Sequence, residues 1–266
     1  MRPIIRIVIV TALAISLSSS CSGDEPGSTT PTPAEEITVE LRTVRKRHVD
    51  LEIRQKIQYA QVNGLSDRAL ADRINQRLKG AATEPLQRFL DQLAFPDDPE
   101  PLDPSIPKTR LLTSRATVGL HGPRLVSVSY KFDTDGGEFG RYVSWSSTYL
   151  TIDLKDGREL GTRELLAERI GTPDGTRTLE DLLVRNGEGG KLCGTVEGTR
   201  PFEPTDFVSD KPAEKVASVW PTKQGLTFRL ALWKLGYPMS CNSQEIKIPY
   251  AELDGLLGAP LEDQMG

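Results

Sequence analysis

Cys21 separates a stretch that reads as an export signal from a stretch long enough to build a core. Before it, Arg2 and Arg6 make a short positive segment, Ile7–Leu17 is apolar, and Ser18-Ser19-Ser20 supplies small residues. That order predicts a signal peptide over residues 1–20, and a cysteine at the cleavage point predicts lipidation of the new N-terminus. Two other readings use the same residues. Ser18 stands where a lipidation motif has leucine, and ordinary cleavage after Ser20, with Ser18 and Ser20 both small, would leave Cys21 as a thiol. An uncleaved anchor is the third reading, although Ile4–Leu17 is shorter than the roughly 20 residues that cross a bilayer.

Cysteine arithmetic favours lipidation. The chain holds Cys21, Cys193 and Cys241, and an odd count in an exported protein leaves one thiol to explain. Lipidation of Cys21 leaves an even pair, so a Cys193–Cys241 disulfide is expected in an oxidising compartment. Such a bridge closes a loop of roughly 48 residues and stabilises the fold by about 3–4 kcal/mol on the loop-entropy account. Two buried free thiols are the alternative. Neither cysteine has a second cysteine or histidine at ligand spacing, so no metal is expected.

Residues 21–36 read SGDEPGSTTPTPAEE after the cysteine. This composition cannot bury enough apolar surface to offset its ordering entropy, and predicts a flexible tether. The expected location is therefore the cell membrane, lipid-anchored and facing the extracytoplasmic side. Loss of residues 1–20, with two arginines and no acid, lowers the formal charge of −4 by two units. An acidic chain with pI near 5.4 lacks the basic footprint of a nucleic-acid binder. The densest basic run, Arg45-Lys46-Arg47-His48, is expected to be a solvated turn capping a hairpin, with contact to anionic lipid or wall polymer as the alternative.

Periodicity predicts an N-terminal strand-helix lobe over 37–95 and a strand-rich lobe over 108–257, joined by the stiff acidic connector Phe95–Pro107. Ile37, Val39 and Leu41 alternate, as do Val49, Leu51 and Ile53, then Ile57 and Tyr59, which gives two strands around the basic turn. Leu70, Ile74 and Leu78 predict a helix from about Ser66 that ends at Gly80. Pro85 then opens a second helix with Leu86, Phe89, Leu90 and Leu93 as its buried stripe. Later come strands through Val126–Phe132, Trp145–Leu154, Leu226–Leu232 and Ile246–Ile248, with helices capped at Thr162 and Thr178 between them. A short helix, Tyr250–Leu257, closes the domain. The fold class expected is α+β: antiparallel sheets with helices packed on one side, two lobes in one globular unit, stabilised by a disulfide.

Three stretches carry a resemblance to a known family. They are IQYAQVNGLSDRALADRINQRL (Ile57–Leu78), DGGEFGRYVSWSSTYLTIDLKDGRELGTRELL (Asp135–Leu166) and GLTFRLALWKLGYPMSCNSQEIKIPYAEL (Gly225–Leu253). In order and spacing they resemble the extracellular domain shared by lysozyme-sensing RsiV-type anti-sigma factors, PdaC-type peptidoglycan deacetylases and a secreted mycobacterial immunogenic antigen. The resemblance implies an envelope setting and this fold. It does not imply catalysis, because the domain is an accessory module in the deacetylases. Many members have Gly-Gly-Ala-His-Gly where this chain has Gly136-Gly137-Glu138-Phe139-Gly140, so the histidine's role does not transfer to Phe139.

The residues themselves offer binding chemistry rather than a reaction. His48 and His121 fall in separate expected turns, and no nucleophile elbow, His-Glu-x-x-His helix or phosphate-cradling loop occurs. Asp133-Thr134-Asp135-Gly136 with Glu138 echoes a calcium loop but lacks its remaining oxygens, and reads as a hairpin loop. No catalytic residue, cofactor or metal is expected. Gly136, Gly137, Glu138, Phe139 and Tyr142 form the candidate binding loop, with Trp145 beside it and Trp233, Tyr237 and Met239 near Cys241. Trp145 and Trp233 read first as core residues. The expected function is a non-catalytic envelope lipoprotein that binds a wall component or a secreted protein, with a lysozyme-like hydrolase as one candidate. An accessory lipoprotein of a membrane complex is the alternative, and an enzyme with an unrecognised site the third.

Overall fold

Alternating burial builds the first sheet. The computed structural model describes residues 36–49, 53–94, 110–135, 146–193, 198–209, 211, 215–241 and 244–265. The chain divides into Met1–Ala34 and Glu35–Gly266, and both hydrophobic cores lie wholly within the second unit. β1 (Thr38–His48) and β2 (Ile53–Asn63) pair antiparallel along their full length, from Thr38↔Asn63 to His48↔Ile53. The basic run Arg45–His48 therefore lies within a strand, and the hairpin turns beyond it. A strand lets these charges stand on both solvated faces of β1, whose residues are mostly exposed.

The helix after this hairpin is longer than its sequence predicts. α1 runs unbroken from Arg68 to Ala94, through both Gly80 and Pro85. Asp67 Oδ1 accepts the Leu70 N–H at 3.0 Å and caps its start. Leu70, Ile74, Leu78, Ala82, Leu86 and Leu90 are all buried, so one apolar stripe recurs every fourth residue across the expected break. Burial of that stripe against the sheet outweighs the local cost of glycine and proline. Thr83 Oγ1 also donates to the carbonyls of Lys79 (3.0 Å) and Gly80 (3.3 Å), next to the backbone bond that Pro85 cannot make. Asn75 fixes the helix to β2: its side chain accepts from Val62 N at 2.7 Å and donates to Val62 O at 2.9 Å.

β3 (Arg110–His121) then pairs with β2 in parallel over Ile53–Ile57 and Arg110–Ser114. A parallel pair needs a crossover, and α1 lies within it. The first sheet is thus mixed rather than purely antiparallel, and it spans the expected boundary between residues 95 and 108. β4 (Leu125–Asp135) and β5 (Ser146–Asp153) complete the order β1-β2-β3-β4-β5. Val126, Val128, Tyr130 and Phe132 share a core with α1, and the buried Tyr130 hydroxyl donates to Leu78 O at 2.8 Å.

Helices are grouped between β5 and the second sheet: α2 (Thr162–Leu165), α3 (Pro173–Asn186) and α4 (Pro204–Val208). α3 begins earlier than expected because Thr172 Oγ1, not Thr178, accepts at its start, from Gly175 N at 3.2 Å. β6 (Ala217–Thr222), β7 (Gly225–Leu230) and β8 (Gln244–Pro249) form an antiparallel sheet in that order. Tyr250–Glu252 is a single 3₁₀ turn, and α5 (Ala259–Met265) follows it. Leu226, Phe228, Leu230, Ile246 and Ile248 pack with Leu179, Leu183, Phe207 and Leu261 in a second core. The architecture is α+β. No described helix is long and apolar enough to cross a membrane.

Cys193 and Cys241 form the expected disulfide, with Cα atoms 5.8 Å apart and a sequence separation of 48. Cys241 is buried in the second core, and Cys193 packs against it. The paired Cys193→Ser and Cys241→Ser variant is expected to lose about 3–4 kcal/mol of unfolding free energy. Urea denaturation followed by circular dichroism checks it, and an unchanged midpoint would show that the bridge constrains nothing.

Candidate functional site

The second sheet has one apolar face and one polar face. Ala217 and Val219 on β6, Leu226, Phe228 and Leu230 on β7, and Ile246 and Ile248 on β8 supply the core. Period-two alternation therefore turns Trp220, Thr227, Arg229, Glu245 and Lys247 to the opposite side. Strand register arranges them in rows, Trp220↔Thr227↔Lys247 and Ser218↔Arg229↔Glu245.

β3, β4 and β5 approach this polar face closely. A Cβ on Gly119 would stand 2.3 Å from Pro221 O and 2.7 Å from Trp220 Nε1, so only glycine admits the contact. The strand pairing of β3 shifts between Val118 and His121 at this point. Ser127 Oγ accepts the Leu120 N–H at 2.8 Å and donates to Pro221 O across the seam. Tyr149 and Trp220 stack with centroids 5.8 Å apart and planes inclined by 16°. The Tyr149 hydroxyl donates to Glu245 Oε1 at 2.8 Å, Lys131 Nζ lies 3.9 Å from the same oxygen, and Arg229 Nη1 donates to Ser147 O at 3.4 Å.

Between the sheets lies an open groove of about 540 Å³. Val118 and Gly119 form one side, Trp220, Thr227, Glu245 and Lys247 the other, and the Lys223-Gln224 turn one end. Lys247 Nζ donates to Gln224 Oε1 at 2.8 Å. Trp220 Nε1 is buried and has no hydrogen-bond partner among the described residues, an uncommon state for an indole N–H. Burial raises the pKa of the Tyr149 hydroxyl, with further upward pressure from the hydrogen bond to Glu245, so it stays protonated as a donor. Tyr250 braces the rim by donating to Thr222 O at 2.8 Å, and burial pushes its pKa up to about 12.

The groove brings together residues that the sequence did not single out. Ser218-Val219-Trp220-Pro221 is a strand despite its proline because β6 is an edge strand, where a missing N–H costs no ladder bond. Cys21 and the candidate loop residues Gly136, Gly137, Glu138, Phe139 and Tyr142 lie outside the described residues, as does Trp145. Trp233, read first as core, is 51% exposed on the 3₁₀ turn Leu232–Leu235. Tyr237 packs against the second core. His48 and His121 are the last residues of β1 and β3 rather than turn residues, and His48 Nε2 lies 3.2 Å from Gln55 Oε1. Asp133 lies in β4, 3.8 Å from the Arg115 guanidinium.

Comparison with solved structures finds matches over most of the chain. A member of the DUF3298 family from Bacteroides fragilis matches with a TM-score of 0.51 and 17% identity, over 87% of this chain and 98% of that one. The likeness is one of fold. A DUF3298-family protein from Pseudomonas aeruginosa matches with a TM-score of 0.48 and 16% identity, over 86% of this chain and 97% of that one. No family model and no curated protein matches the sequence.

Two outcomes follow from the seam. Gly119→Ala is expected to cost about 2–3 kcal/mol by overpacking against backbone, and to change tryptophan fluorescence as Trp220 moves off Tyr149. An unchanged melting midpoint would mean that the sheets can part freely. Alkaline pH acts through Tyr149 and Tyr250. Their folded pKa values lie above the unfolded value of 10.0, so the unfolded chain releases protons first. Stability is fully present below about pH 10 and falls as pH rises toward 12, which urea midpoints across that window measure.

Proposed function

We propose that this chain is a bacterial envelope lipoprotein, tethered through Cys21, whose non-catalytic domain binds a wall-derived glycan peptide in the groove between its sheets. The observation that carries the reading is the lining of the groove, which sets Trp220, stacked on Tyr149, beside Lys223, Gln224, Thr227 and Lys247. Aromatic faces suit sugar rings, and Thr227 and Gln224 suit their hydroxyl and amide groups. Lys223 and Lys247 suit the carboxylates of a stem peptide. A volume of about 540 Å³ is in the range of small-ligand sites. Glu245 is the only carboxylate among the described lining residues, and Tyr149 and Lys131 already engage it, an arrangement of orientation rather than proton transfer. The motif resemblance to RsiV-type and PdaC-type extracellular domains supports an envelope setting.

A second reading rests on Trp233. An indole 51% exposed, with Lys234 Nζ 5.8 Å from its ring centroid, is the kind of residue that anchors a protein interface. On this reading the partner is a secreted protein such as a lysozyme-like hydrolase, or a component of a membrane complex.

Titration of the oxidised Glu35–Gly266 domain with muropeptides, followed by calorimetry, decides between them. Saturable binding that weakens about tenfold or more in Tyr149→Ala and is unaffected by Trp233→Ala supports the groove. Binding of lysozyme alone, lost in Trp233→Ala, would replace it with the second reading. The tether is tested separately. Cys21→Ala is expected to move the protein from the membrane to the soluble envelope fraction, and retention at the membrane would overturn the lipid anchor.

A further inference from the structure

The hairpin of β1 and β2 carries a charge arrangement that its own stability opposes. Arg45 stands directly across from Lys56, and Arg47 directly across from Arg54. These four side chains share one face, about 5 Å apart across the strands and about 7 Å along them. Like charges placed opposite one another destabilise a strand pair. Lys46 adds a fifth cation on the other face, and all five are exposed. None of the five has a carboxylate partner among the described residues, whereas Arg42 in the same strand pairs with Glu40 at 2.7 Å. Residues 45–56 hold these five cations against two acids, Asp50 and Glu52, both outside the described residues.

An apolar residue lies next to this array. Val49, the residue after β1, is 68% exposed, the most exposed of the described large hydrophobic side chains. A cluster of cations on one strand face would serve any polyanion. A solvated valine at the edge of that cluster suits a surface where acyl chains begin below the phosphates.

We propose that this hairpin end is a contact surface for an anionic phospholipid bilayer, with Arg45, Arg47, Arg54 and Lys56 on the lipid phosphates and Val49 entering the interface. Each cation near such a surface adds modest attraction, and together they give reversible binding that salt screens. The contact deepens the membrane-tethered reading but does not depend on it chemically.

The test uses the unlipidated Glu35–Gly266 unit and no wall glycan, so its outcome is independent of Cys21 and of the groove. Sedimentation with vesicles of phosphatidylcholine and phosphatidylglycerol at about 7:3 is expected to pull down the domain, while pure phosphatidylcholine leaves it in solution. Binding should fall at least tenfold between low and physiological salt. Arg45→Gln with Arg47→Gln should lower vesicle partition about tenfold or more and leave the urea midpoint equal or higher, since it removes the opposed charges. Val49→Ser should lower partition by a smaller factor. Failure to bind the anionic vesicles, or equal partition of the arginine variant, overturns the proposal. Soluble polyphosphate that retains the domain as tightly as vesicles do, with no effect of Val49→Ser, also overturns it, because the occupant is then a free polyanion.

Discussion

The molecule depends on how closely its two sheets meet at Gly119. With the carbonyl of Pro221 only 2.3 Å from where a Cβ would be, the strand that carries Gly119 and the strand that carries Pro221 touch backbone to backbone. Ser127 bridges the same place from β4. A seam of this kind is polar, since backbone groups brought together must find partners or remain unpaired at a cost. It also sets the distance at which side chains further along the two sheets stand. Tyr149 reaches Trp220 and Glu245 because the sheets are pinned here, and the groove is the space left where they diverge.

The polar face of the second sheet therefore has two roles. Near the seam it is an internal interface; away from it, it becomes a surface with lysines, a glutamine and threonines. Trp220 stands at the transition, its ring stacked on Tyr149 and its N–H without a partner among the described residues. Apolar burial on the opposite face holds all three strands in register, so the groove residues can be chosen for their chemistry.

The sequence made the strands with simple alternation legible, and Val126–Phe132 on β4 is the clearest. It also made legible the disulfide, which the expected use of Cys21 singled out by leaving Cys193 and Cys241 as an even pair. The spacing of Leu70, Ile74 and Leu78 marked the start of the first helix, where Asn75 holds α1 to β2 through both backbone groups of Val62. Local signals failed where distant packing decided. Gly80 and Pro85 mark a break in isolation, but the stripe from Leu70 to Leu90 runs across both. The parallel pairing of β2 with β3 has no local signature, since the partner strand lies beyond α1 and the acidic connector. Trp220 was hidden for a related reason: its strand contains a proline, and only edge position makes that acceptable.

That parallel pairing also has a consequence for how the chain acquires its shape. Ile53 meets Arg110, so the centre of the first sheet stays unfinished until a long intervening segment has been closed. The hairpin of β1 and β2 and the hairpins of the second sheet are local and can form within microseconds, whereas closure of the crossover carries a larger entropic barrier. The second core draws mainly on residues after Leu160 and so has less long-range closure to wait for. Both cysteines thus lie in the half of the chain with the shorter closures. Cys193 and Cys241 can be oxidised around a nearly native core while the amino-terminal sheet is still assembling.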